Sequence, residues 1–130
     1  MKIVNLTPHS INIYRKEDAE HNPSLRKAFI KPGARPILTI PSSGMVNAHI
    51  TYTYDTMIDK IPIYKPVVQG IDPLPPKAMK ADIIIVSALY ASAAKMVGVD
   101  TTKLVTVSQP VYDNPNNPRP VGCIGLNRVE

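Results

Sequence analysis

Asp82-Ile83-Ile84-Ile85-Val86-Ser87-Ala88-Leu89-Tyr90-Ala91-Ser92-Ala93-Ala94-Lys95-Met96-Val97-Gly98 is the stretch on which the fold turns. Residues 83–86 form an unbroken β-branched run, the pattern of a strand buried on both faces. Ser87 is a natural helix N-cap, the alanine-rich residues that follow favour helix, and Gly98 stands where a helix would stop. Residues 103–107 then return to an apolar strand pattern. The segment 83–107 therefore reads as a βαβ unit with two parallel strands and a right-handed crossover.

Moving outward, Val111-Tyr112-Asp113, a loop over residues 114–120, and residues 121–126 predict a C-terminal β-hairpin with a proline-stiffened loop. Upstream, residues 45–54 alternate: Val46, Ala48, Ile50, Tyr52 and Tyr54 on one face, Asn47, His49, Thr51 and Thr53 on the other. Period two over ten residues is the clearest strand signal in the chain. Residues 37–40 read as a strand, and Pro41-Ser42-Ser43-Gly44 as a hairpin loop. Residues 3–6 and 11–14 are short β runs on the same or neighbouring strands, parted by Thr7-Pro8-His9-Ser10. Residues 15–23 read as a surface loop or ordered turn, and residues 24–30 as a helical turn or a short strand.

Fourteen prolines in 130 residues are about twice the usual ~5%. Proline lacks an amide proton and fixes φ, so these positions are expected to punctuate the chain. Residues 58–76, with five prolines, read as an extended functional loop or a subunit contact. The expected fold is α/β, with α+β as the alternative: a compact mixed sheet of short strands, one βαβ unit and a C-terminal hairpin. The length fits a single domain over residues 1–130, large enough to bury roughly two-thirds of its unfolded surface.

The N-terminus enters a strand pattern directly, without the apolar stretch and small-residue site of a signal peptide. No apolar run reaches the roughly 20 residues of a membrane span. One cysteine, Cys123, excludes an intramolecular disulfide framework, so a reducing cytoplasm is the expected setting. A net charge of +5 favours anionic partners. The cations are scattered and there is one Phe and no Trp, which disfavours nucleic acid.

A helix that starts directly after a buried strand presents free amides and a positive dipole end. Ser87 and Ala88, with Tyr90 in the same turn, are candidate ligand contacts on that ground; the plain alternative is that Ser87 only caps the helix. Arg119 and Arg128 are isolated cations that could meet an anion. Asp113 flanks the same loop as Arg119, and a pairing across it is the simple expectation. Gly122 and Gly125 would allow close backbone approach by a ligand or a strand. No glycine-rich nucleotide fingerprint, zinc spacing or paired-carboxylate motif occurs, so neither cofactor nor metal is expected. An enzyme would have to draw on His9, His49 or Cys123, and Cys123 reads more simply as a small buried hydrophobe.

Asn5-Leu6-Thr7-Pro8-His9, Ile85-Val86-Ser87-Ala88-Leu89 and Gly122-Cys123-Ile124-Gly125-Leu126 together resemble an uncharacterised family of small proteins encoded by phages, prophages and bacteria. The loop over residues 114–120 departs from it in its wealth of Asn and Pro. The resemblance implies a compact phage accessory or anti-defence protein in the host cytoplasm and carries no site residue over by position; Thr7 and His9, in the turn between the first two β runs, are further candidate contacts. The expected function is a homo-oligomeric, non-enzymatic binder of a small anionic, nucleotide-like ligand. The alternatives are a protein-interaction module that inhibits a host enzyme through residues 58–76, and a small enzyme using His9, His49 or Cys123.

Overall fold

The computed structural model describes residues 1–129 and has a mixed α/β architecture. Its strands are β1 (Ile3–Asn5), β2 (Ile11–Ile13), β3 (Ala19–Asn22), β4 (Lys27–Ile30), β5 (Leu38–Ile40), β6 (Ala48–Ile58), β7 (Ile61–Ile71), β8 (Ile83–Ile85), β9 (Leu104–Tyr112) and β10 (Gly122–Arg128). Two helices, α1 (Pro76–Met79) and α2 (Ala88–Met96), complete it.

The βαβ unit is present: β8 and β9 pair in parallel, Ile84 beside Leu104 and Ile85 beside Val105, with α2 between them in sequence. Alternation along β8 sends Ile84 toward the core under α2 and Ile85 into a second core on the other face of the sheet. Both are almost fully buried, and each contributes roughly 1.5–3 kcal/mol by leaving water. Helix α2 turns Tyr90, Ala91 and Ala94 to the first core, where the small alanines let it approach the sheet closely. It ends as expected, with Gly98 at φ +81° in the left-handed region that glycine enters without strain.

The main sheet runs β1-β8-β9-β10-β2-β5, and the β3–β4 hairpin joins it through β4 alongside β9. The C-terminal hairpin β9–β10 is antiparallel, as read. Strands β1 and β2, expected to be one strand or neighbours, lie four places apart in the sheet order. Residues 6–10 bridge them because the sheet curls until its ends approach. The Ser43 amide donates to the Asn5 carbonyl at 2.8 Å, and the Asn5 side chain donates to the carbonyl of Ile40, at the end of β5. The sheet is nearly a barrel.

Several local expectations are corrected. Pro41-Ser42-Ser43-Gly44 does not close a hairpin, because β5 pairs with β2 and β6 pairs with β7. Residues 24–30 contain a short strand, β4, one of their two expected forms, and residues 15–23 hold an ordered turn, as expected, but continue into an unexpected strand, β3. Residues 58–76 are not a loop: β7 runs through Pro62 and Pro66 and forms a long two-stranded ribbon with β6. A ribbon strand has one unpaired edge, and prolines whose missing donors fall on that edge cost no ladder bond. Pro110 likewise lies inside β9, beside a kink where Gln109 takes φ +47°. Asp113 accepts from the Asn114 amide at 2.8 Å and the Asn117 side chain at 3.1 Å rather than from Arg119.

Candidate functional site

Strands β1 and β8 pair in parallel with a constant offset: Ile3 beside Ile83, Val4 beside Ile84, Asn5 beside Ile85. They therefore end at the same level, and the Leu6 amide continues the ladder to the Ile85 carbonyl at 2.8 Å. The residues that follow each strand, Thr7 and Ser87, leave along one rim of the curled sheet. A cavity of about 430 Å³ opens there. Its walls are Thr7, His9 and Ser10 from the β1–β2 turn, Val86 to Ala88 from the β8–α2 junction, Thr106 and Val107 from β9, Pro120 and Val121 from the loop before β10 and Gly122 at its start, with Ile11 and Asn12 from β2. Crevices outside the carboxyl ends of parallel strands are where open α/β sheets place ligands.

Asn5 shapes the β1–β2 turn. It is fully buried, donates through Nδ2 to the carbonyls of His9 at 2.9 Å and Ile40 at 3.1 Å, and accepts at Oδ1 from the Thr7 amide at 3.0 Å and hydroxyl at 2.6 Å. The Ser42 hydroxyl adds a bond to the Thr7 carbonyl at 2.6 Å. The turn is thus fixed from beneath, with Thr7 partly exposed and His9 exposed on the cavity side. Asn12 plays a similar part opposite, donating to the Val121 carbonyl at 3.2 Å and accepting from the Thr39 hydroxyl at 2.8 Å. Neither asparagine figures among the sequence candidates. The signal for Asn5 is a polar residue inside an apolar strand run, two residues before a Thr-Pro turn.

At the other wall, the Ser87 hydroxyl accepts from the Tyr90 amide at 3.1 Å and caps α2. The amides of Ala88 and Leu89, at the first helical positions, have no intrahelical partner, and Ala88 is itself a wall residue. The helix dipole therefore makes this wall electropositive without a charged side chain.

The structure brings four of the seven candidates, Thr7, His9, Ser87 and Ala88, to this one cavity. Tyr90 is not a wall residue: it is 1% exposed in the first core, and its hydroxyl donates to the Asp72 carbonyl at 2.7 Å. Burial, reinforced by the Asp72 charge, pushes its pKa up, so it stays protonated. Arg119 is exposed and precedes the loop residue Pro120 at the cavity rim. Arg128 lies with Lys95 in an adjoining hollow that shares Ala88 and Thr106 with the cavity.

The side chains considered for catalysis are dispersed. Cys123 is fully buried in β10 and burial pushes its thiol pKa up, which disfavours the thiolate a nucleophile needs. Gly122, at the cavity wall, also admits a neighbouring strand closely: an added Cβ would lie 2.5 Å from the Asn12 carbonyl oxygen and 2.7 Å from the Tyr14 ring. His49 stands at the base of the β6–β7 ribbon, away from the cavity wall, with Nε2 2.6 Å from Asp72 Oδ1. That hydrogen bond, then the Asn47 amide, hold the Asp72 carboxyl below its ordinary range.

The fold and the cavity define a mixed α/β domain with a ligand-sized crevice at the ends of parallel strands. Comparison with family models, with curated proteins and with solved structures finds no match to this chain. Among the described residues, no helix is long and apolar enough to cross a membrane.

Proposed function

We propose that this protein is a non-enzymatic binder that captures a small anionic, nucleotide-like ligand in the cavity between the β1–β2 turn and the start of α2. The observation that carries the reading is the wall itself. Polar residues Thr7, His9, Ser10, Asn12, Ser87 and Thr106, with Ala88 at the start of α2, stand among apolar Ile11, Val86 and Val107. Apolar walls with a few placed polar groups suit a ring system carrying an anionic group. No carboxylate stands among those wall residues to repel it. Lys95 and Arg128 in the adjoining hollow extend positive potential in one direction. The resemblance to phage-encoded proteins supplies a setting, since sequestering a host nucleotide signal requires binding without turnover.

A thermal-shift panel of mono-, di- and cyclic nucleotides tests this, followed by calorimetry and mass analysis of the recovered ligand. A ligand at 100 times its Kd stabilises by about 2.7 kcal/mol, a rise of roughly 10 °C for a chain this long. Filling the cavity with Val107→Phe lowers affinity at least about tenfold, as expected for lost ligand volume. No shift across the panel refutes the reading. A chemically altered ligand replaces it with the enzymatic alternative, for which His9 is the wall residue able to move a proton.

A further inference from the structure

The β6–β7 ribbon carries a second feature, independent of the cavity. Its register places Ile50 beside Val68, Tyr52 beside Pro66, Tyr54 beside Tyr64 and Met57 beside Pro62. Cross-strand partners share a face, and the irregularity between Tyr54 and Thr56 keeps Met57 in phase with Tyr54. All eight residues therefore lie on one side, and none is charged. The other side holds Thr51, Thr53, Thr56 and Lys65 with isoleucines and a valine. Toward the tip the apolar side is open to solvent: Tyr52 is 69% exposed, Tyr54 and Tyr64 57% each, and Met57 56%. The rings of Tyr54 and Tyr64 meet edge to face with centroids 6.2 Å apart.

We propose that this face is a dimerisation arm, and that its occupant is the same face of a second copy of this chain. Three observations favour a second copy. A two-stranded ribbon is marginal alone in water, so a ribbon of eleven-residue strands needs a cover available whenever the chain is. The face is also self-complementary. Its four rows form an even series, and a twofold axis between the Tyr52–Pro66 and Tyr54–Tyr64 rows sets each against the other. The same axis sets Ile50 and Val68 against Met57 and Pro62 of the second copy.

The area is sufficient as well. At about 200 Å² per side chain of this size, the exposed portions of the three tyrosines and Met57 amount to roughly 500 Å² per copy. Two copies then bury about 1,000 Å², the size at which specific interfaces begin. Association by strand addition at the β7 edge is disfavoured, because Pro62 and Pro66 present no amide there.

Sedimentation equilibrium of the full chain tests the arm. The wild type is expected near twice the chain mass of 14.2 kDa. Tyr54→Glu combined with Tyr64→Glu places four carboxylates near the axis and is expected to weaken the dimer at least about 100-fold. Thr53→Glu, on the opposite side of the same strand, leaves the dimer intact and controls for damage to the ribbon. A wild-type chain that stays monomeric at about 100 μM overturns the proposal, a regime in which even weak specific pairs form. So does a double variant that remains dimeric, or a Thr53→Glu variant that dissociates equally. A monomer that captures a bacterial protein through this face reassigns the arm to a foreign partner and overturns it too. Nucleotide binding is a separate readout, so failure of the arm and failure of the cavity reading are distinguishable.

Discussion

Replacing Asn5 by alanine removes four hydrogen bonds from one buried point, and the cost can be built up from their surroundings. The Ile40 carbonyl loses its Asn5 partner in a dry setting, a loss of about 1–3 kcal/mol for an orphaned buried group. The Thr7 amide and the His9 carbonyl lie in partly exposed bonds that water can replace, at about 1 kcal/mol each. The Thr7 hydroxyl keeps its contact to the His9 carbonyl at 3.2 Å and adds little. Together Asn5→Ala is expected to cost about 3–5 kcal/mol, a fall in Tm of roughly 15 °C for a chain this long.

Asn5→Asp isolates the donor. It keeps the size and the acceptor for Thr7, but turns a carboxylate oxygen toward two carbonyl oxygens in a site with no exposure. Folding then favours the protonated form, so the folded-state pKa rises above the unfolded value of about 3.9. The penalty is fully present at neutral pH, and it shrinks as pH falls through the raised value. Thermal unfolding of both variants at pH 7 and near pH 4.5 reads this directly, and amide exchange at Thr7 should speed up in Asn5→Ala, which removes its acceptor. A Tm loss under about 3 °C for Asn5→Ala refutes the accounting, as does an aspartate variant equal to wild type at pH 7.

Two further perturbations follow from the geometry. Gly122→Ala forces a Cβ against the Asn12 carbonyl and the Tyr14 ring, and is expected to cost about 1–3 kcal/mol. Gly125→Ala, with nothing within 4 Å of the added atom, should stay within about 0.5 kcal/mol by chemical denaturation, and equal effects would contradict the close-approach argument. Asp72, held down chiefly by its bond to His49, should titrate below its ordinary value of 3.8 by carboxyl-carbon NMR. Its stabilising contribution is present above that value and is lost as pH falls through the lower folded-state pKa. His49→Val should return the midpoint toward 3.8, and a wild-type midpoint already there would disprove the assignment.

The elements legible in the sequence are those whose local pattern and tertiary environment agree. Residues 83–86 are β-branched because both faces of β8 are covered, and the alanines of α2 are small because the helix lies close to the sheet. Strand β7 escapes the same reading because its signal is local punctuation. Pro62 and Pro66 demote a strand only where the missing donors are needed. The β6–β7 turn gives no warning either, since Asp59 and Lys60 both take positive φ without the glycine that usually marks such a turn. The neighbours of β1 and β2 depend on how far the whole sheet curls, and no window of sequence carries that curvature.

The candidate site divides along the same line. Ser87 and Ala88 are visible because a strand-to-helix junction announces itself over six residues. Thr7 and His9 carry no such local mark, and their place beside that junction is decided by a register eighty residues long in sequence. Asn5 beside Ile85 sets Thr7 level with Ser87, and a slip of one residue would turn the apolar side chains of β1 to the wrong face. Val4 packs under α2, and Ile3 packs with the second core, so burial on both faces holds that register. Asn5 then converts the register into a turn shape by tying Thr7 and His9 to the end of β5. The cavity is thus a consequence of core packing carried to the strand ends by one buried amide, which is why Asn5, not any cavity-facing residue, is where the site is most sensitive to mutation.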